Sequence, residues 1–265
     1  MALDGWSSSN YVSSPVTGIT SDTVGTIHYY TYRDASYSNY AIDIGDSGSN
    51  NNHLLVGNKL RLKTTSDQLS AELPVTTGNT WVSVVACVSG SDIEGASAGD
   101  RNAVFFDNAH QTLTYNTGSS TTQIWLSALS GVDMMALGVT LSAATSAWGA
   151  GPLCRFAYWS EVLSSAERES LKPGNNASPA TIRPHALKYY CEGVNRENPG
   201  AISVGGAFSE TGTLTNIDHP SVALRTSGWF PSITGGSPPA SDPEASLIGG
   251  KLLGGGLLIK GALVA

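Results

Sequence analysis

FAYWSEVLSSAERESL, from Phe156 to Leu171, is the stretch in which a β-type pattern hands over to one short helix. Phe156-Ala157-Tyr158-Trp159 has the aromatic density of a strand and follows the breakers Gly149, Gly151 and Pro152. Ser164 and Glu167 stand at the S-x-x-E spacing of a capping box, in which the serine hydroxyl accepts from the backbone N–H three residues on and the glutamate reaches back to the serine's own N–H. The spacing predicts a helix starting at Ser164. Ala166, Arg168, Glu169 and Leu171 favour it, and Pro173-Gly174 ends it after about two turns. Two turns do not hold in water alone, so Leu163, Ala166 and Leu171 are expected to pack on the body of the protein. The segment reads as a clip on a larger β fold.

The chain has 265 residues, of which 40% are hydrophobic and 13% charged, the composition of a compact globular protein with a Ser/Thr/Asn/Gly-rich surface. Net charge is −7, from 14 Lys+Arg against 21 Asp+Glu, and Arg61 with Lys63 is the nearest approach to a basic cluster. A phosphate backbone is thereby excluded as a partner, and no nucleic acid is expected. Cys87, Cys154 and Cys191 are odd in number, far apart and in mostly apolar surroundings, which reads as buried thiols. Met1 leads into Leu3-Asp4-Gly5-Trp6 without a basic and then an apolar region, so folding in a cytoplasm is expected and the sequon Asn176-Ala177-Ser178 is a chance match.

Outward from the clip the text is strand and turn. Thr26 to Tyr32, Tyr40 to Ile44, His53 to Val56, Lys59 to Lys63, Trp81 to Val88 and Ala103 to Phe106 are β-branched or aromatic runs. Lys59-Leu60-Arg61-Leu62-Lys63 alternates most cleanly, with two leucines on one face and three cations on the other. Between the runs lie Asp46 to Asn52, Gly57-Asn58, Gly78-Asn79 and Asn116-Thr117-Gly118, which is turn chemistry. After the clip come a strand from Arg183 to Cys191, weaker strand candidates around Ile202 and Leu214, and a closing segment from Asp218 to Val222, with the terminal segments expected to pair across a sheet. Many short strands with a single helix predict an all-β jelly-roll sandwich over residues 1–226.

From Ser227 the composition changes. Residues 235–243 are a Pro/Gly linker, followed by apolar pairs between glycines: Leu247-Ile248, Leu252-Leu253, Leu257-Leu258-Ile259 and Leu263-Val264. Glycines and Lys251 and Lys260 interrupt this stretch, so it does not read as a membrane span. Residues 227–265 are expected to be an extended assembly tail, held by a neighbouring subunit or a sheet edge.

The patterns that carry chemistry are sparse. Gly95-Ala96-Ser97-Ala98-Gly99 matches a nucleophile elbow but follows an acidic loop and precedes Asp100-Arg101-Asn102, so it reads as a hairpin loop. Glu161, Glu167, Glu169, Glu192 and Glu197 do not form the alternating carboxylate strand of a sandwich glucanase. Asp43, Asp46 and Asn50 to Asn52 offer oxygens for Ca²⁺, yet turn formation explains them, and no cofactor is expected. The five histidines, His28, His53, His110, His185 and His219, lack metal-ligand spacing. Trp81, Trp148 and Trp159 read as core, and Tyr37, in a polar turn, is the candidate for stacking on a sugar.

Taken together, several segments resemble the LamG-like, concanavalin A-like jelly-roll domains of tailed-phage structural proteins. Gly78-Asn79-Thr80-Trp81-Val82-Ser83-Val84-Val85 is similar to that family's G-x-W-x-x-V-A strand, and Arg101-Asn102-Ala103-Val104-Phe105-Phe106-Asp107-Asn108 stands in place of its R-x-x-Y-x-N-G strand and turn, without the turn glycine. Ala157, Trp159, Leu163, Ser164 and Glu167 match A-x-W-x-x-x-L-S-x-x-E; Arg183, Pro184, Leu187 and Tyr190 match R-P-x-x-L-x-x-Y; His219-Pro220 resembles an H-P-P segment. The resemblance covers Trp6 to Val222 and gives these residues structural roles. It implies a non-enzymatic virion protein, a capsid-decorating or cementing protein on the particle surface, folded in the host cytoplasm. Its partners would be the major capsid protein or neighbouring copies in a homo-oligomer. The alternatives are a glycan-binding lectin of a tail or head fibre and a sandwich glycoside hydrolase.

Overall fold

A computed structural model of the chain describes residues 2–4, 6–33, 40–74, 80–141, 146–147, 151–175, 177–192, 203–205 and 207–217. In chain order the strands are β1 (Ala2–Asp4), β2 (Tyr11–Pro15), β3 (Gly25–Arg33), β4 (Tyr40–Gly45), β5 (His53–Gly57), β6 (Lys59–Lys63), β7 (Asp67–Glu72), β8 (Thr80–Val88), β9 (Asn102–Phe106), β10 (Ala109–His110), β11 (Thr114–Thr117), β12 (Met134–Leu137), β13 (Val139–Thr140), β14 (Ser146–Ala147), β15 (Leu153–Trp159), β16 (Leu187–Cys191), β17 (Ser203–Val204), β18 (Ser209–Thr211) and β19 (Thr215–Ile217). Among the described residues there is one α-helix, α1 (Ser165–Ser170), between β15 and β16.

These strands build two antiparallel sheets. The first has the order β10-β9-β8-β3-β15-β1-β19, with β16 and β17 joined beside β15; the second has the order β11-β7-β6-β5-β4-β12-β2-β18. The chain crosses between sheets after β1, β2, β3, β7 and β10, between β12 and β15, and on both sides of β18, which makes the fold a jelly-roll sandwich. β13 and β14 pair with each other alone among the described residues.

Alternation along the strands fills the space between the sheets. Ile27 and Tyr29 of β3, Val82, Val84 and Ala86 of β8, and Phe156 and Tyr158 of β15 meet Ile42, Ile44, Leu54, Val56, Leu60, Leu62, Met135 and Leu137 from the second sheet. Leu60 and Leu62 are fully buried and Lys59, Arg61 and Lys63 half-exposed, as the sequence pattern requires. The three cysteines are buried, and none is joined in a disulfide. β1 pairs with β19 in the register Ala2↔Ile217, so terminal segments do meet across the sheet.

The clip follows its sequence closely. Ser164 is the N-cap of α1, its hydroxyl accepts from the Glu167 N–H at 3.3 Å, and the Glu167 carboxylate accepts the Ser164 N–H at 2.7 Å. Leu163 and Leu171 are buried with Ala157, Trp159, Ile182, Ala186, Leu187 and Tyr190 on the outward side of the first sheet. Ala166 departs from expectation: it is exposed, and the buried residue of the helix is Arg168. A two-turn helix turns one narrow stripe to its support, and Arg168 occupies that stripe.

Two other expectations are corrected. The strand expected from Arg183 begins at Leu187, because Arg183 takes a left-handed conformation (φ 42°) and its carbonyl accepts the N–H groups of both Ala186 and Leu187, closing a turn. Trp81 is half-buried at the sheet's outer side, against Tyr32, whereas Trp6 and Trp125 join Trp159 among the buried tryptophans. Tyr37, Trp148, His219, Pro220, the linker 235–243 and the tail residues Leu247, Ile248, Leu252, Leu253, Leu257, Leu258, Ile259, Leu263 and Val264 lie outside the described residues.

Candidate functional site

The two outer faces of the sandwich differ. On the first sheet the residues the sequence singled out converge, and each has a packing or fastening task. Trp159, 0% exposed, donates its indole N–H to the Ile182 carbonyl at 2.7 Å. Arg183 bonds Glu167 at 2.6 Å and Glu161 at 2.9 Å, so the glutamate that closes the capping box also anchors the turn before β16. Burial pushes the Glu167 carboxyl up, but the bonds from Arg183 and from the Ser164 N–H and hydroxyl outweigh it, and its pKa lies below the ordinary value. Pro184 is exposed in the turn itself.

Arg168 is the residue the sequence reading missed. Its guanidinium stacks 3.9 Å over the Phe105 ring and donates to the Leu163 carbonyl at 2.6 Å, to Asn108 Oδ1 at 3.2 Å and to the Glu94 carbonyl. Asn108 explains the missing turn glycine: Asp107 (φ 49°) and Asn108 (φ 64°) both adopt the left-handed conformation that an Asx residue tolerates. The Asn108 side chain then binds Glu169 at 3.0 Å as well as Arg168, which a glycine could not do.

Beneath the clip lie buried polar pairs. His28 Nε2 is 3.1 Å from Ser83 Oγ, the geometry of a nucleophile and its base. Both residues are at most 1% exposed, and burial followed by the Arg155 charge lowers the His28 pKa to about 3. A reaction here has no access to solvent. Arg155, at a bulge in β15 with φ 55°, binds Glu192 at 2.8 Å, which occupies the carboxylate considered for hydrolysis. Gly95 to Gly99 lies in the β8–β9 connection, with the Ser97 N–H donating to Asp100.

The outer face of the second sheet is polar across several strands. Opposite residues in an antiparallel pair share a face, so the registers Lys59↔Glu72, Arg61↔Ser70 and His53↔Lys63 place these side chains together. Lys59 and Glu72 pair at 3.0 Å with side chains 33% and 49% exposed; Arg61 and Asp67 pair at 2.8 Å with 30% and 28% exposed. Asn116 of β11 donates to Glu72 at 3.1 Å, and Lys63 donates to the Asn50 carbonyl at 2.6 Å. Arg61, Asp67, Glu72 and Asn116 form a row of planar polar groups over three adjacent strands.

Asp43, considered for calcium, is instead 0% exposed inside β4 and engaged by His53 and the Leu141 N–H. Among the described residues no group of three or more His, Cys, Asp and Glu is gathered to hold a metal ion, and no helix is long and apolar enough to cross a membrane.

No protein-family model matches the chain, and no curated protein matches it in sequence. Among solved structures it is similar to the CBM40 of the Ruminococcus gnavus IT-sialidase bound to alpha2,3 sialyllactose, at 16% identity and a TM-score of 0.47 over 64% of this chain and 95% of that one. It is also similar to a native heptameric SAP-like pentraxin from Limulus polyphemus, at 14% identity and a TM-score of 0.46 over 82% of this chain and 99% of that one.

Proposed function

We propose that this chain is a non-enzymatic structural sandwich of a tailed-phage particle, displayed on the particle surface, and that it binds glycans through the outer face of its second sheet. The observation that carries the reading is the unequal use of the two outer faces. The clip covers part of the first with Leu163, Leu171, Ile182 and Arg168. The second presents Lys59, Arg61, Asp67, Glu72 and Asn116, half-exposed or exposed. Planar guanidinium, carboxylate and amide groups offer paired donors and acceptors to adjacent sugar hydroxyls, and short ion pairs hold them in place before a ligand arrives. Catalysis is left out of the reading because the described carboxylates considered for it are committed: Glu192 to Arg155, Glu161 and Glu167 to Arg183, Glu169 to Lys172 and Asn108.

The phage setting is supported by the sequence resemblance, whose described signature residues Trp159, Leu163, Ser164, Glu167 and Arg183 meet in one clip. In this reading the tail after Ser227 joins the sandwich to the major capsid protein or to copies of itself. A glycan array probed with the full chain is expected to retain a saccharide class, with signal lost in Arg61→Ala and kept in His185→Ala on the other sheet's side. An array without retained saccharides overturns the glycan part. Absence of the chain from purified particles overturns the virion part.

A further inference from the structure

We propose that Asp43 and His53 form a proton-operated latch that fastens two segments, the Ser49 turn and the stretch from Val139 to Leu141, onto the outer face of the second sheet. The two side chains come from neighbouring strands, β4 and β5, and are 0% and 3% exposed. Gly45 stands opposite His53, and a Cβ there would collide with the imidazole, so the ring lies over that position toward Asp43. His53 Nδ1 is 3.0 and 3.1 Å from the two Asp43 oxygens, and Nε2 is 3.0 Å from the Ser49 carbonyl. The Leu141 N–H donates to Asp43 Oδ2 at 2.6 Å, while Val139 and Leu141 pack on Ala136, with Met134 and Tyr11 alongside.

The chemistry of the partners fixes the protonation. A carbonyl accepts but cannot donate, so Nε2 carries a hydrogen; Asp43 already accepts from Leu141, so a second proton sits between it and Nδ1. The charged groups facing the ring are Asp43 from β4, which favours that proton, and Lys63 from β6, which opposes it. Lys63 also holds the same turn through Asn50. When the proton leaves, a neutral imidazole has one N–H for two acceptors. Either the Ser49 carbonyl or the buried carboxylate then loses its donor, and a buried carboxylate short of donors is drawn to water.

The direction follows from linkage. Burial alone would lower the His53 pKa, but the Asp43 bond and charge and the Ser49 carbonyl outweigh it and hold it above 6.5; burial also raises Asp43. The folded pair therefore keeps more proton than the unfolded chain. The His53 part of that contribution is fully present below the ordinary histidine value and is lost as pH rises through the folded value, and the raised Asp43 acts in the same direction from the ordinary carboxylate value upward.

The test is an NMR titration of the full chain from about pH 5 to about pH 9, following the His53 ring nitrogens and the exchange rate of the Leu141 amide. The expected result is a His53 midpoint above the ordinary histidine value, with both ring nitrogens protonated below it, and Leu141 exchange accelerating at least about tenfold more across that midpoint than the amides of β8. In His53→Gln the Leu141 step is expected to vanish. A His53 midpoint at or below the ordinary value, or an unchanged Leu141 step in His53→Gln, overturns the latch. If that variant does not fold, the titration of the native chain decides alone.

Discussion

Replacing Arg168 by alanine probes the clip where it is least like an ordinary helix. The guanidinium is 1% exposed and makes three hydrogen bonds and one ring contact, and it has no ion-pair partner among the described residues. Truncation strips donors from the Leu163 and Glu94 carbonyls and from Asn108, at about 1–3 kcal/mol for each acceptor left dry. It also removes a desolvated cation–π contact of about 1–2 kcal/mol. Against this stand the release of a buried charge and about 2 kcal/mol of side-chain entropy, and water reaches part of the vacated space. The net expectation is a loss of about 3 kcal/mol, a large share of the roughly 5–15 kcal/mol that holds a domain. Urea unfolding of Arg168→Ala, with Arg168→Lys beside it, measures this through the shift in midpoint. Lysine keeps the charge but lacks the planar fork that reaches three acceptors, so it should recover less than half of the loss. A change below about 1 kcal/mol for alanine would refute the reasoning, because the bonds would then do no more than offset the desolvation of the guanidinium.

Three further outcomes follow from the same geometry. Ser164→Ala removes one arm of the capping box and should destabilise the protein by about 1 kcal/mol in the same unfolding assay. Because the folded pKa of Glu167 is depressed, its contribution is present above the unfolded value and lost as pH falls through the folded one; acid unfolding monitored by circular dichroism should begin at higher pH in Arg183→Met, which removes the main favourable partner. Burial raises the thiols of Cys87 and Cys154 to about 12, and Cys191 is buried too, so a thiol reagent should label the native protein slowly and all three cysteines promptly in denaturant.

What could be read before folding is what neighbours in sequence decide. The capping box needs only Ser164 and Glu167, three residues apart, and the two faces of β6 need only the alternation of Lys59 to Lys63. Arg168 escaped because its partners Phe105, Asn108 and Glu94 arrive from the β8 to β10 region, and no periodicity announces that a long cation will be buried. Arg183 looked extended because it precedes a proline and an aromatic run, yet two backbone donors close on its carbonyl and turn it left-handed. The Asp43–His53 pair and the row from Arg61 to Asn116 depend on which strands become neighbours, and sheet order is not written in any one strand.

The pairing of β1 with β19 joins Ala2 to Ile217, residues more than two hundred positions apart. The first sheet therefore cannot acquire its last strand on the ribosome until nearly the whole sandwich has emerged, and β1 must wait beside β15, which is itself a late arrival. Closing so long a loop is slow, since non-local strand pairing spends chain entropy before contacts compensate. The pairing of Ala2 with Ile217 thus acts as a clasp that can close only after residues 215–217 have been made.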